Sequence, residues 1–199
     1  MTHYPSVTRI LDATRPQHEV DALNAWKARV GEEQAEKIRQ DAIARGQGYD
    51  AMIQDHIDGK AIAHKPLEKA LKTYKIIAHE KDVFSSTYRY KGRLDSIYKA
   101  GANRIIINDY KGASKVKSRE HAAGYMMQLS AYWHAVEEMS AASGENMTID
   151  LGLITWILPM SIHQQIVTKA QKELYLEAFL KRVEQYYQQQ EVTNATDRG

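Results

Sequence analysis

Three residues carry the most chemistry for their type and spacing: Asp95, Asp109 and Lys111. Asp109 and Lys111 end the run Ile105-Ile106-Ile107-Asn108-Asp109-Tyr110-Lys111, which reads as a strand. Side chains two apart on a strand project from the same face, so a carboxylate and an ammonium are presented together. Phosphodiester hydrolysis uses such a pair. The carboxylate holds a hard divalent cation, which polarises the phosphate and lowers the pKa of a bound water. The lysine orients or deprotonates that water, or offsets charge developing on the phosphate. Mg²⁺ ordinarily takes one or two carboxylates, so Asp109 needs a partner. Asp95, on the preceding predicted strand, can stand beside it across a hairpin. Glu80, one strand further back, is a candidate third carboxylate, and the Tyr110 carbonyl a candidate backbone ligand. Gly92 would let backbone or substrate approach closely. Taken singly, an Asp-x-Lys reads equally as a surface ion pair and a Gly-x-x-Asp as a turn. Their order on adjacent strands makes the combination specific.

The charge distribution points the same way. Residues 72–119 hold twelve Lys and Arg against four Asp and Glu, inside a chain of net charge +2. A basic segment around isolated carboxylates suits a polyanionic substrate gathered at a metal site, although a solvated surface has the same composition. The loop Ser114-Lys115-Val116-Lys117, with Arg93, offers phosphate contacts that read no base. Nearby Tyr and Trp rings can stack unpaired bases. Cysteine is absent, which excludes disulfides, zinc–thiolate sites and thiol catalysis.

The elements that must position these residues follow from periodicity. Apolar residues at three- and four-residue spacing, such as Leu23, Trp26 and Val30, predict helix from Val20 to about Ile57. Gly46 and Gly48 are expected to split it, the second part starting near Tyr49. Residues 60–72, with Pro66, read as a linker. Segments 74–84, 87–98 and 103–110 read as three strands in a meander. Residues 119–142 return to helix, 149–158 and 162–169 read as strands, and 170–190 as a final amphipathic helix. The expectation is a single domain over 1–199 of α/β (α+β, mixed-sheet) class. It has a mainly helical part (1–72), a catalytic core (73–190) and a frayed tail (191–199).

The order Gly92/Asp95, then Asp109/Lys111, then Gln128/Tyr132 resembles the PD-(D/E)XK nuclease superfamily. More narrowly it resembles the RecB-like exonuclease branch, with its small phage exonucleases and the mitochondrial genome maintenance exonuclease. The stretch Pro5-Ser6-Val7-Thr8-Arg9-Ile10-Leu11 and the region of Trp26, Arg29 and Gly31 are similar to that branch too, so the resemblance covers about residues 4–187. It implies a restriction-endonuclease-like core and a Mg²⁺- or Mn²⁺-dependent deoxyribonuclease acting on linear DNA with free ends. It also implies a role for Gln128 and Tyr132, four apart on one helix face, in supporting the site and contacting the strand. A Tyr packed between helix and sheet, with Gln satisfying a backbone group, is the plainer alternative. Two departures stand out. Asp50 occupies the place of the branch's metal-binding His, with His56 a weaker substitute. Gly112 follows the lysine where the branch often has Thr. Asp50 reads either as a hard-metal ligand or as a solvated helix residue. The remaining histidines show no ligand spacing.

Two other functions fit the same text: a DNA-binding or recombination accessory protein without turnover, and a structure- or site-specific endonuclease. No apolar run is long enough to span a bilayer and no targeting signal is visible, so a cytoplasmic protein of phage or bacterial origin is expected. Phage or host recombination proteins are then the partners to look for.

Overall fold

The computed structural model describes residues 3–101, 103–118 and 121–196, with backbone alone for 193–196. Its elements run α1 (Val7–Ala13), α2 (Gln17–Val30), α3 (Glu32–Ile57), α4 (Lys65–Leu71), β1 (Lys75–Ser85), β2 (Tyr90–Ala100), β3 (Arg104–Gly112), α5 (Ala123–Ser143), β4 (Leu151–Leu158), β5 (Ser161–Val167) and α6 (Lys169–Thr196). The strands form one sheet in the order β1-β2-β3-β4-β5. All neighbours are antiparallel except β3 and β4, which α5 joins as a crossover. The result is the mixed α+β sheet expected from the sequence. Among the described residues no helix is long and apolar enough to cross a membrane.

The sheet is covered on both faces. One core joins Val7 and Ile10 of α1, Leu129 and Trp133 of α5 and Phe179 of α6 to Leu94, Ile97, Ile107 and Ile154 of the sheet. The other packs Tyr49 and Ile53 of α3 and Leu67 and Leu71 of α4 on Tyr98, Ile106, Tyr110 and Ile157. Strand β3 is therefore buried on both sides, which accounts for its unbroken isoleucine run.

Three local expectations change. Helix α3 continues through Gly46 and Gly48 and breaks instead at Gly31, whose φ is +85°. Each helical glycine costs up to about 1 kcal/mol, and tertiary packing of Tyr49 and Ile53 overrides that. Part of the supposed linker is helix α4. Pro66 sits in its first turn, where a missing N–H is no loss, the His64 ring nitrogen accepts from the Leu67 N–H at 3.0 Å, and Leu67 and Leu71 are buried. The last helix also runs past residue 190 to Thr196, into the polar 191–199 tail.

One contact fixes the first hairpin relative to α5. The Glu138 carboxylate accepts from the Ser85 and Ser86 hydroxyls (2.5 and 2.7 Å) and from the Ser86 and Thr87 N–H groups (2.9 and 3.1 Å). Burial would raise its pKa, but these donors outweigh burial and hold it near 2. The strand carrying Asp95 and the helix carrying Gln128 are thus tied together at one end.

Candidate active site

The strand periodicity brings Asp109 and Lys111 out on the α5 side of β3. Asp109 is fully buried, and the Lys111 Nζ lies 2.7 Å from its Oδ2. Burial opposes the charged ammonium, yet the attraction of Asp109 and Asp95 prevails and raises the Lys111 pKa. Burial raises that of Asp109, with Lys111 acting against it. Asp109 Oδ2 has no hydrogen bond of good geometry; the nearby ammonium is its compensation.

Asp95 reaches the same place from β2. The β2–β3 ladder runs to the pair Ser96 and Asn108, and the Asp95 Oδ2 then takes the Tyr110 N–H at 2.7 Å. Burial first, then repulsion from Asp109, pushes its pKa up to about 7; Lys111 and the Tyr110 N–H pull the other way. The Tyr110 side chain points through the sheet, where its hydroxyl pairs with that of Tyr98. The N–H and C=O of one extended residue face the same edge, so the Tyr110 carbonyl also faces β2.

Gln128 and Tyr132 lie beneath these groups rather than on the surface. Gln128 Nε2 donates to Asp109 Oδ1 at 3.4 Å and to the Tyr132 hydroxyl at 3.1 Å. They are 9 % and 3 % exposed, and Gln128 donates to side chains, not to a backbone group. Gly92 supplies the space. A Cβ there would stand 2.2 Å from Cε1 of the Tyr132 ring, so the close approach it allows is that of a side chain. Gly92→Ala must displace the ring and with it the support under Asp109. We expect catalytic turnover to fall on the order of 10-fold or more, with stability lower by about 1–3 kcal/mol. Steady-state kinetics and thermal melting check this; unchanged turnover would show that the ring does not support the site.

The remaining candidates stand at the rim. Asp50 is raised by burial and by Glu80 nearby, while His79 and Lys111 oppose the rise. Glu80 has a left-handed φ of +46°, a strained conformation for a non-glycine residue, which costs about 1–3 kcal/mol and concentrates at functional sites. Arg93 pairs with Asp82 at 3.0 Å and lies 3.9 Å from Glu80. Ser114, Lys115 and Lys117 are exposed in the loop after β3. Lys117 Nζ donates to the Tyr125 hydroxyl at 3.0 Å. On α3, the Tyr49 ring would lie 3.0 Å from a Cβ at Gly112, so the bare glycine admits the helix to the end of β3. His79, which no spacing singled out, lies with Nδ1 2.8 Å from the Asp95 carbonyl and 3.3 Å from the Ser96 hydroxyl. Only the strand register, Ser96 opposite His79, places it there.

Among the described residues no three His, Asp or Glu side chains form a ready-made metal cage. The donor set is a carboxylate pair, Asp95 and Asp109, whose mutual repulsion a divalent cation would relieve. It suits a hard ion that keeps waters and substrate oxygens as its other ligands.

Comparison with known proteins agrees with this architecture. The sequence profile of the PD-(D/E)XK nuclease superfamily matches residues 6–198. No curated protein sequence matches the chain. Among solved structures it is similar to SSO0001, at 19 % identity and a TM-score of 0.32, covering 59 % of this chain and 56 % of that one. It is also similar to an alkaline exonuclease (LHK-Exo) from Laribacter hongkongensis, at 12 % identity and a TM-score of 0.32, covering 75 % and 85 %. The chain thus spans little more than half of SSO0001. Members of the matched superfamily generally use divalent metal ions on nucleic acid. With a profile match over nearly its whole length, this chain belongs to the PD-(D/E)XK nuclease superfamily.

Proposed function

We propose that the chain is a Mg²⁺- or Mn²⁺-dependent exonuclease that hydrolyses phosphodiester bonds from the ends of linear DNA. The observation that carries the reading is the convergence of Asp95, Asp109 and Lys111, from two neighbouring strands, on one face of the sheet. Asp95 and Asp109 hold the cation, with the Tyr110 carbonyl as a further ligand and Asp50 or Glu80 reaching it from the rim. When bound, the ion supplies a polarised phosphate and a water of lowered pKa. Lys111 orients that water and offsets charge on the phosphate oxygens. Gln128 and Tyr132 keep Asp109 in place. Arg93, Ser114, Lys115 and Lys117 grip the DNA backbone. A soluble cytoplasmic setting in recombination, repair or degradation of phage or bacterial DNA fits this activity.

End-labelled linear DNA, covalently closed circular DNA and labelled RNA, each with Mg²⁺, Mn²⁺ or EDTA, test the reading. Shortening of linear DNA alone, abolished by EDTA, is the expected result. Cutting of the circle would replace the reading with an endonuclease. Tight DNA binding without cleavage in either metal would replace it with an accessory protein.

A further inference from the structure

The Lys111 ammonium has a second neighbour besides Asp109. Its Nζ lies 5.2 Å from the centroid of the Tyr125 ring. Lys117, from the exposed loop after β3, brings its own Nζ to 4.8 Å from the same centroid while donating to the Tyr125 hydroxyl. The ring is held in turn by Trp156, edge to face at 5.5 Å and 78°, and the Trp156 indole donates to Gln165 at 3.3 Å. Trp156 is 1 % exposed, so this backing is rigid.

We infer that Tyr125 positions Lys111 for catalysis through the face of its ring, and that the ring is the joint between the reacting centre and the phosphate-gripping loop. The inference rests on the nuclease reading of the site. The reason is geometric. A lysine has four rotatable side-chain bonds, and here its ammonium is held by charge, by Asp109 at 2.7 Å and by the attraction of Asp95. A ring face 5.2 Å away supplies a second restraint, because its negative quadrupole attracts the cation. Tyr125 meets Lys111 with its ring and Lys117 with its hydroxyl, so it links the two ammonium groups rather than merely filling space. It also completes a row on one side of α5. Tyr125, Gln128 and Tyr132, three and then four residues apart, address Lys111, Asp109 and the space over Gly92 in turn.

The test separates ring electronics from ring shape. Single-turnover cleavage of linear DNA is measured for wild type, for Tyr125→Leu, and for Tyr125→Phe carrying none, one, two or three ring fluorines. Fluorine withdraws the negative face while scarcely changing size. The expected result is a stepwise fall in the cleavage rate along the fluorine series, reaching about 10-fold, with DNA affinity constant within about twofold. Tyr125→Leu should fall at least as far. A flat series in enzyme that still cleaves DNA overturns this inference and leaves the nuclease reading standing. So does a series in which affinity falls and rate does not. Wild-type protein that cleaves no DNA overturns both. Because the fluorinated variants keep the ring in place, a folding failure of Tyr125→Leu leaves the series decisive.

Discussion

Lys111→Met and Asp109→Asn will each lower DNA cleavage on the order of 10³-fold, and the double variant will be no slower than either alone. Removing a single preorganised electrostatic group from an active site costs about 10²–10³ in rate. Here each member also positions the other across 2.7 Å, so the losses belong to one unit and do not add. Stability should follow a different order. Lys111→Met leaves the fully buried Asp109 without its ammonium, a cost on the order of 3–5 kcal/mol before relaxation. Asp109→Asn leaves Lys111 partly exposed with Asp95 alone, a smaller cost. The double change removes both charges. Denaturant melts of the three variants should therefore place the double variant nearest wild type. Additive rate losses, or a double variant less stable than both singles, would remove the pair from the centre of the site.

Asp95→Asn will abolish metal-dependent cleavage and, in metal-free protein, stabilise the fold. The folded chain holds a proton on Asp95 up to about pH 7, whereas an unfolded chain releases it near 4. Folding therefore becomes less favourable as pH rises through that window. There is no effect below about pH 4 and a constant penalty above about 7, on the order of 2–4 kcal/mol. Asparagine keeps a side-chain oxygen for the Tyr110 N–H and carries no charge to bury. At pH 8 without metal, Asp95→Asn should melt higher than wild type by about 5 °C or more, and at pH 4 the two should coincide. Millimolar Mg²⁺ should raise the wild-type melting temperature at pH 8 and leave the variant nearly unmoved, since binding stabilises only a fold that holds the ion. A gap of equal size at both pH values would show that charge burial is not its origin.

How much of this was legible in the sequence depends on the range of the interaction. Strands β1 to β3 could be read because a period of two and a run of β-branched residues are local signals. The same periodicity placed Asp109 and Lys111 on one face, and the hairpin spacing brought Asp95 to them. Helix α3 reads as split at Gly46 and Gly48 because helix propensity is a weak prior, and the partners on which its own Tyr49 and Ile53 pack lie far away in sequence. Helix α4 was hidden because a histidine caps it and a proline opens it, both of which read as loop. Gly92 signalled close approach but not by what, since Tyr132 lies forty positions further on. His79 and the turn of Arg93 toward Asp82 depend on cross-strand register, which no local pattern encodes.

The seat of Tyr49 against Gly112 couples α3 to the end of β3. A Cβ at 112 would stand 3.0 Å from the Tyr49 ring, so any side chain there requires that ring to give by a few tenths of an ångström. With glycine there, α3 lies close against the strand, and the next residue along it is an aspartate rather than a histidine. A side chain introduced at 112 is therefore felt first by α3, through the Tyr49 ring, one residue from Asp50.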